Sequence, residues 1–259
     1  MVRTGRVNPD HHRVEVLGVK VTPSTIERAV EKIATWISED ARTYVCVTSV
    51  HGVVESLADP DLRDIHNAAG MCTTDGMPLV WASKYVGFDF ADRVYGPDLT
   101  LALAKRAASD GWKSYFYGAA EGVAQRLGDT LEERFPGFTT AGAYSPPFRP
   151  LRDDEEDAIV AEINSSGADI VWVGLSTPKQ ERWMAAFRDR LDAPVLIGVG
   201  AAFDFHTGST RQAPYWVQRS GFEWFFRLIT EPRRLWRRYL LQYPRFITAI
   251  VRDRPESCG

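Results

Sequence analysis

The 259 residues are 44% hydrophobic and carry a formal net charge of -3, enough apolar material for a full core and too little positive charge for a protein that coats nucleic acid with its whole surface. Cys46, Cys72 and Cys258 are odd in number, widely spaced and free of any C-x-x-C pair, which argues against a disulfide framework or a zinc site and for a reducing cytosol. No run of about 18 apolar residues is available to span a bilayer, and "MVRTGRVNPDHHRVEV" lacks the apolar centre of a signal peptide, so membrane contact is expected to be peripheral.

In chain order, "RVEVLGVKVT" (13–22) alternates with period two around Gly18 and predicts a small edge hairpin or a pair of short strands. Apolar runs of strand length follow at 43–49, 70–74, 113–118, 138–144, 169–175 and 194–200. Amphipathic stretches of helical period lie at 24–39, 98–108, 121–135, 153–165 and 178–190. That alternation predicts an α/β, Rossmann-like three-layer fold with a mostly parallel sheet. "SPPFRPLRDDEED" reads as an ordered surface loop running into a helix whose acidic first turn suits the helix dipole.

Composition changes near residue 210. Residues 211–254 hold ten arginines against three acids, interleaved with Trp216, Trp224, Trp236, Tyr239 and Tyr243, among other rings. Thr230-Glu231-Pro232 reads as a helix cap followed by first-turn residues, so the tail is expected to be helical. The chain thus divides into an α/β domain over 1–210 and a basic, aromatic appendage over 211–259.

In open α/β sheets ligands collect where the carboxyl ends of the strands meet helix N-termini. Asp75, in "TTDGMPLVW", lies on that rim, and spacing alone leaves two readings open. It caps the next helix, or it is a general base made more basic by the apolar neighbours Met71, Met77, Leu79 and Trp81. Gly118 and Gly122, in "YGAAEGVAQRL", give either plain turn chemistry or room for a diphosphate or ribose. In "VGLSTPKQERW", Pro178 is expected at the first helical position, with Lys179 and Gln180 in the first turn. A lysine there opposes the helix dipole, which suggests an anionic ligand as much as a solvated turn. Asp204 and His206 either bind sugar hydroxyls or close a packed turn. The histidines show no metal-binding spacing, and the one D-x-D, Asp59-Pro60-Asp61, sits at a helix start, so no metal and no cofactor are expected.

The segments "DPDLRDIHNAAGMCTTDGMPLVWASKYVG", "RVYGPDL", "DIVWVGLSTPKQERWM", "GVGAAFDFHTG" and "QAPYWVQRSGFEWFFRLITEPRRLWRRYL", in that order, resemble the WecG/TagA/CpsF glycosyltransferases over nearly the whole chain. The resemblance implies an inverting, metal-independent enzyme that moves a sugar from a UDP-sugar to an undecaprenyl-diphosphate-linked saccharide at the inner face of the cell membrane. It makes Asp75 the catalytic base, Thr48, Arg93 and Gln180 pocket residues, and Arg227, Arg234 and Arg237 the tail arginines that serve the site. The chain departs from the pattern where many members read T-x-N: here Thr48-Ser49-Val50 precedes His51. Members use different UDP-sugars, including N-acetylmannosamine, its uronic acid and glucose, so the motifs select no single donor, and oligomers are left open. The family's appendage is thought to dock on the membrane and close the site. The basic, ring-rich tail fits this, because anionic lipid attracts arginines and interfacial rings anchor at the headgroups; a solvated helix is the plainer alternative. Two competing readings are a non-catalytic nucleotide-sugar-binding scaffold, against which Asp75 counts, and a tail that stacks on single-stranded nucleic acid. The acidic balance elsewhere disfavours the latter.

Overall fold

The computed structural model describes residues 12–210 and 212–258; at Tyr215, Arg219, Arg234, Arg237 and Arg238 it describes the backbone only. All six predicted strands form and pair in parallel: β3 (Thr43–Thr48), β4 (Met71–Thr74), β5 (Lys113–Gly118), β6 (Thr139–Tyr144), β7 (Ile170–Gly174) and β8 (Val195–Gly198). Their order in the sheet is β4-β3-β8-β7-β5-β6. Alternate side chains of each strand enter opposite cores. Tyr115, Tyr117, Val171, Val173 and Leu196 face one, while Phe116, Ile170, Trp172, Val195 and Ile197 face the other. Both faces are covered, as an all-parallel sheet requires.

The second face is closed by α1 (Ile26–Ser38), α5 (Gly96–Asp110), α6 (Val123–Arg134) and α9 (Ala202–His206), through Ile33, Leu99, Leu127 and Phe203. The first is closed by α2 (Val50–Ala58), α7 (Asp153–Ser166) and α8 (Lys179–Phe187), where Trp183 stacks between Tyr117 at 4.2 Å and Phe187 at 4.7 Å. The D-x-D acids begin α3 (Pro60–Ala68), where the Asp59 carboxylate caps Leu62 N–H at 3.1 Å, an ordinary helix start. The remaining helix of this part, α4 (Met77–Tyr85), follows Asp75.

The N-terminal segment does form a hairpin, β1 (Arg13–Val16) and β2 (Val19–Val21), turned at Leu17-Gly18 with both φ positive. It lies in a separate antiparallel sheet, bridged to the large one at Thr22 and Thr73 and packed into the same core as Cys46 and Cys72. Its third strand, β9 (Glu256–Cys258), comes from the far end of the chain. The tail is helical as expected through α10 (Tyr215–Arg219), α11 (Glu223–Thr230), α12 (Pro232–Arg237), a π-helical segment at Arg238–Gln242 and α13 (Tyr243–Arg252). Two details differ from expectation. The last residues extend to pair with β1, and Thr230 ends α11 with its hydroxyl turned back onto the Phe226 and Arg227 carbonyls of that helix.

The tail is sewn into the rest of the molecule. Phe246 of α13 is 4% exposed and belongs to the same core as Tyr117 and Trp183. Phe246→Ala is expected to cost about 3–5 kcal/mol in one cooperative denaturant transition. An unchanged midpoint would show that α13 contributes nothing to the stability of the sheet.

Candidate functional site

A cavity of about 520 Å³ opens over the carboxyl ends of β3, β4, β7 and β8, lined among others by Ser49, Asp75, Gln180, Gly200 and Asp204. The starts of α2, α5 and α8 reach it through Ser49, Gly96 and Thr177, so several helix N-termini bring their free N–H groups to one place. The appendage supplies the opposite wall, through Arg227, Leu235 and Gln242. A smaller cavity of about 70 Å³ adjoins it, bounded by Met77, Trp224, Tyr239 and Tyr243, and Asp75 is common to both.

Asp75 leaves β4 with its N–H on the Thr48 carbonyl at 2.9 Å. It does not cap α4, whose N-cap is Gly76. The carboxylate also has charged company. Arg93 Nη2 lies 3.8 Å from Asp75 Oδ1 and 2.6 Å from Glu223 Oε2, and Arg93 Nε donates to the Asp75 carbonyl. Glu223 in turn accepts from the Tyr95 hydroxyl at 3.0 Å, and the Arg93 guanidinium sits over the Tyr95 ring at 3.9 Å. Asp75 Oδ1 is buried and makes no hydrogen bond. Burial pushes its pKa up to about 6; Arg93 pulls it down, Glu223 pushes it further up, and the Gly96 N–H lowers it.

The apolar surroundings differ from those expected. Met71 and Leu79 are buried in the two cores, and Trp81 is 54% exposed. Of the four predicted neighbours only Met77 lines the space beside the carboxylate, and the appendage rings Trp224, Tyr239 and Tyr243 complete it.

Arg93, Gln180 and Arg227 are brought to the cavities together with Asp75. Arg227 lines both, its guanidinium 5.5 Å from the Phe205 ring and 3.9 Å from Glu231, with a buried Nε that makes no hydrogen bond. Thr48 is buried beneath the rim; its hydroxyl accepts from the Cys72 thiol at 3.1 Å, and its neighbour Ser49 takes the lining position. Pro178 is the N-cap of α8 rather than its first residue, which leaves Lys179 exposed at the first helical position and turns Gln180 inward.

Gly118 ends β5 and Gly122 lies in the turn after it; the strand order puts β5 beyond β7, and neither glycine lines the cavity. Gly118 has a structural reason to be glycine: its φ is +127°, and a Cβ there would lie 2.7 Å from the Gly174 backbone. Asp204 lines the cavity, whereas His206 is tied to the Pro97 carbonyl at 3.0 Å. The side chains of Arg234 and Arg237 lie outside the described residues.

Sequence reasoning missed Glu223, Tyr95 and Gln242. Glu223 was visible as one of few acids in a basic tail. Gln242 bridges α2 from the appendage: its Oε1 is 2.6 Å from His51 Nδ1, and its Nε2 donates to Glu55 at 2.5 Å. That places His51, the residue after the departed T-x-N position, against the appendage. Among the described residues no group of three or more His, Cys, Asp or Glu side chains is arranged to hold a metal ion.

Comparison with known proteins finds relatives over most of the chain. The chain is similar to the N-acetylglucosaminyldiphosphoundecaprenol N-acetyl-beta-D-mannosaminyltransferase of Bacillus spizizenii, 29% identical over 223 residues that cover 86% of this chain and 84% of that protein. The protein of the same name from Staphylococcus aureus strain NCTC 8325 is 25% identical over 242 residues, 93% of this chain and 92% of that one. The profile of the glycosyl transferase WecG/TagA/CpsF family matches residues 14–257, and the chain, with its parallel sheet and rim aspartate, belongs to that family of glycosyltransferases.

Proposed function

We propose that the protein transfers N-acetylmannosamine from UDP to N-acetylglucosamine carried on undecaprenyl diphosphate, with inversion and without a metal ion, in the synthesis of a cell-envelope polymer. The names of the two relatives support the sugars and the lipid carrier. The observation that carries the chemistry is Asp75: a carboxylate with its pKa raised to about 6, on the wall shared by a nucleotide-sized cavity and a smaller ring-lined one. Near neutral pH it is ionised yet more basic than an ordinary carboxylate, as suits a general base. In this reading Asp75 takes the proton of the acceptor hydroxyl as its oxygen bonds to the sugar C1. The bond from C1 to the diphosphate breaks on the opposite side, and UDP leaves with the electron pair. Attack opposite the leaving group converts an α-linked donor into a β-linked product. Arg227 and the helix N-termini balance the charge that gathers on the departing diphosphate.

The appendage is read as the membrane-docking part. Phe225 and Ile229, four residues apart on α11, and Trp236 and Leu240, on the two helical segments that follow, are exposed large apolar side chains on a basic stretch, a composition suited to an anionic interface. No helix among the described residues is long and apolar enough to cross a membrane.

The test is a transfer assay with UDP-N-acetylmannosamine and a diphosphate-linked N-acetylglucosaminyl lipid in excess chelator. A β-linked disaccharide formed at undiminished rate is expected. An α-linked product, or activity that needs added magnesium or manganese, would sink the reading. In the same preparation Ile229→Glu with Leu240→Glu should abolish sedimentation with anionic liposomes while UDP binding persists; unchanged sedimentation would remove the docking role.

A further inference from the structure

Gln180 is 3% exposed, lines the large cavity, and its Oε1 is buried without a hydrogen-bond partner. One hydrogen of its amide nitrogen is committed: Nε2 donates to Glu181 Oε1 at 3.1 Å. The same Glu181 oxygen accepts from the hydroxyl of Thr177, another cavity residue, at 2.9 Å. Glu181 itself is 0% exposed, and its carboxylate reaches the electrostatics of the buried His66, whose pKa is lowered by burial with Glu181 opposing. Turning the Gln180 amide over would set its oxygen against the Glu181 carboxylate, acceptor against acceptor, between two side chains that are 3% and 0% exposed. The amide is therefore held one way round. Its oxygen lies toward Gly200, where an added Cβ would come to 3.2 Å of Oε1, and Gly200 also lines the cavity.

We infer that Glu181 is a positioning residue that locks the Gln180 amide with its oxygen toward the ligand, so that the site selects a nucleotide-sugar bearing a hydrogen-bond donor at that point. This rests on the nucleotide-sugar reading of the cavity. The donor is either the ring N–H of uracil or a sugar hydroxyl, and both meet the same bare acceptor. An analogue that offers an acceptor there leaves two lone pairs facing each other and loses the bond.

Calorimetric titration of the wild type and of Glu181→Gln with UDP, CDP, UDP-N-acetylmannosamine and a series of its deoxyfluoro counterparts separates these sources. The wild type should bind CDP about tenfold more weakly than UDP if the ring is read, or one fluoro sugar about tenfold more weakly than its parent if a hydroxyl is read. In Glu181→Gln the neighbouring amide accepts either orientation of Gln180, and that discrimination should fall to within about threefold. A folded Glu181→Gln protein that keeps the full discrimination overturns the inference, as does a wild type that shows neither preference. Failure of the wild type to bind UDP at all would instead overturn the reading of the cavity. Should the variant not fold, nitrogen-labelled glutamine in the wild type gives the same decision. One Gln180 amide hydrogen should stay bonded to Glu181 with ligand bound, and transfer of that hydrogen's bond from Glu181 to the ligand would refute the lock.

Discussion

Asp75→Asn is expected to bind UDP as the wild type does and to lose about 10²–10⁴ in turnover, the range for a missing general base. The amide keeps the shape and removes only the basic oxygen. The same change should make the protein more stable at neutral pH. Asp75 has its folded pKa raised, from 3.8 to about 6, because burial penalises its charge. A carboxylate with a raised pKa destabilises the fold above that pKa and has no such effect below the unfolded value, where it is protonated in both states. The rise corresponds to about 3 kcal/mol at 1.36 kcal/mol per pH unit. Asparagine should therefore gain up to that amount at pH 7, an advantage that fades between pH 6 and 4. A site that holds a costly carboxylate for chemistry behaves in this way. Equal turnover in the variant would remove Asp75 from catalysis; a loss of stability at pH 7 would contradict the burial argument.

Arg93→Met should be the most damaging change that leaves Asp75 in place. Arg93 stands between two carboxylates, 2.6 Å from Glu223 and 3.8 Å from Asp75, and its side chain is only 13% exposed. Without it, two largely buried carboxylates face each other unpaired, and breaking a buried ion pair on one side typically costs about 3–5 kcal/mol. Its removal also takes away the cation that holds the Asp75 pKa down, so the base should titrate above 6 and less of it should be ionised at pH 7. Urea denaturation should show the lost stability, and the pH dependence of turnover should move to higher pH. A variant with an unmoved pH profile would mean that Arg93 does not face the Asp75 charge in solution.

Arg93 and Glu223 also show what could be read in the sequence and what could not. The six strands were legible because each is a short apolar run ended by glycine or a polar rim, and the rim rule then singled out Asp75. The order of those strands is a long-range property with no local signature. For that reason Gly118 and Gly122 looked like rim residues of the site, although β5 carries them past β7. Glu223 meets Arg93 from more than a hundred residues away, and Gln242 meets His51 from further still. Each pairing depends on where the appendage lies, which neither composition nor period encodes. Thr230 misled for a local reason: a threonine hydroxyl can bond back to a carbonyl within its own helix as well as cap the next. β9 is three residues of polar and small character, and only its pairing with β1 makes it a strand.

If a buried Asp75, ionised near neutral pH, activates the acceptor, its titration governs the pH dependence of kcat/KM for transfer to a diphosphate-linked N-acetylglucosaminyl acceptor, because that profile reports the groups of the free enzyme and both diphosphate diesters stay ionised across the range. The rate should climb about tenfold per pH unit below 6 and level off above it, and the same limb should persist in His51→Gln, which removes the one histidine that lines the cavity among the described residues. A profile that is flat from pH 5 to 8, or a limb that disappears with His51, would contradict that role for Asp75.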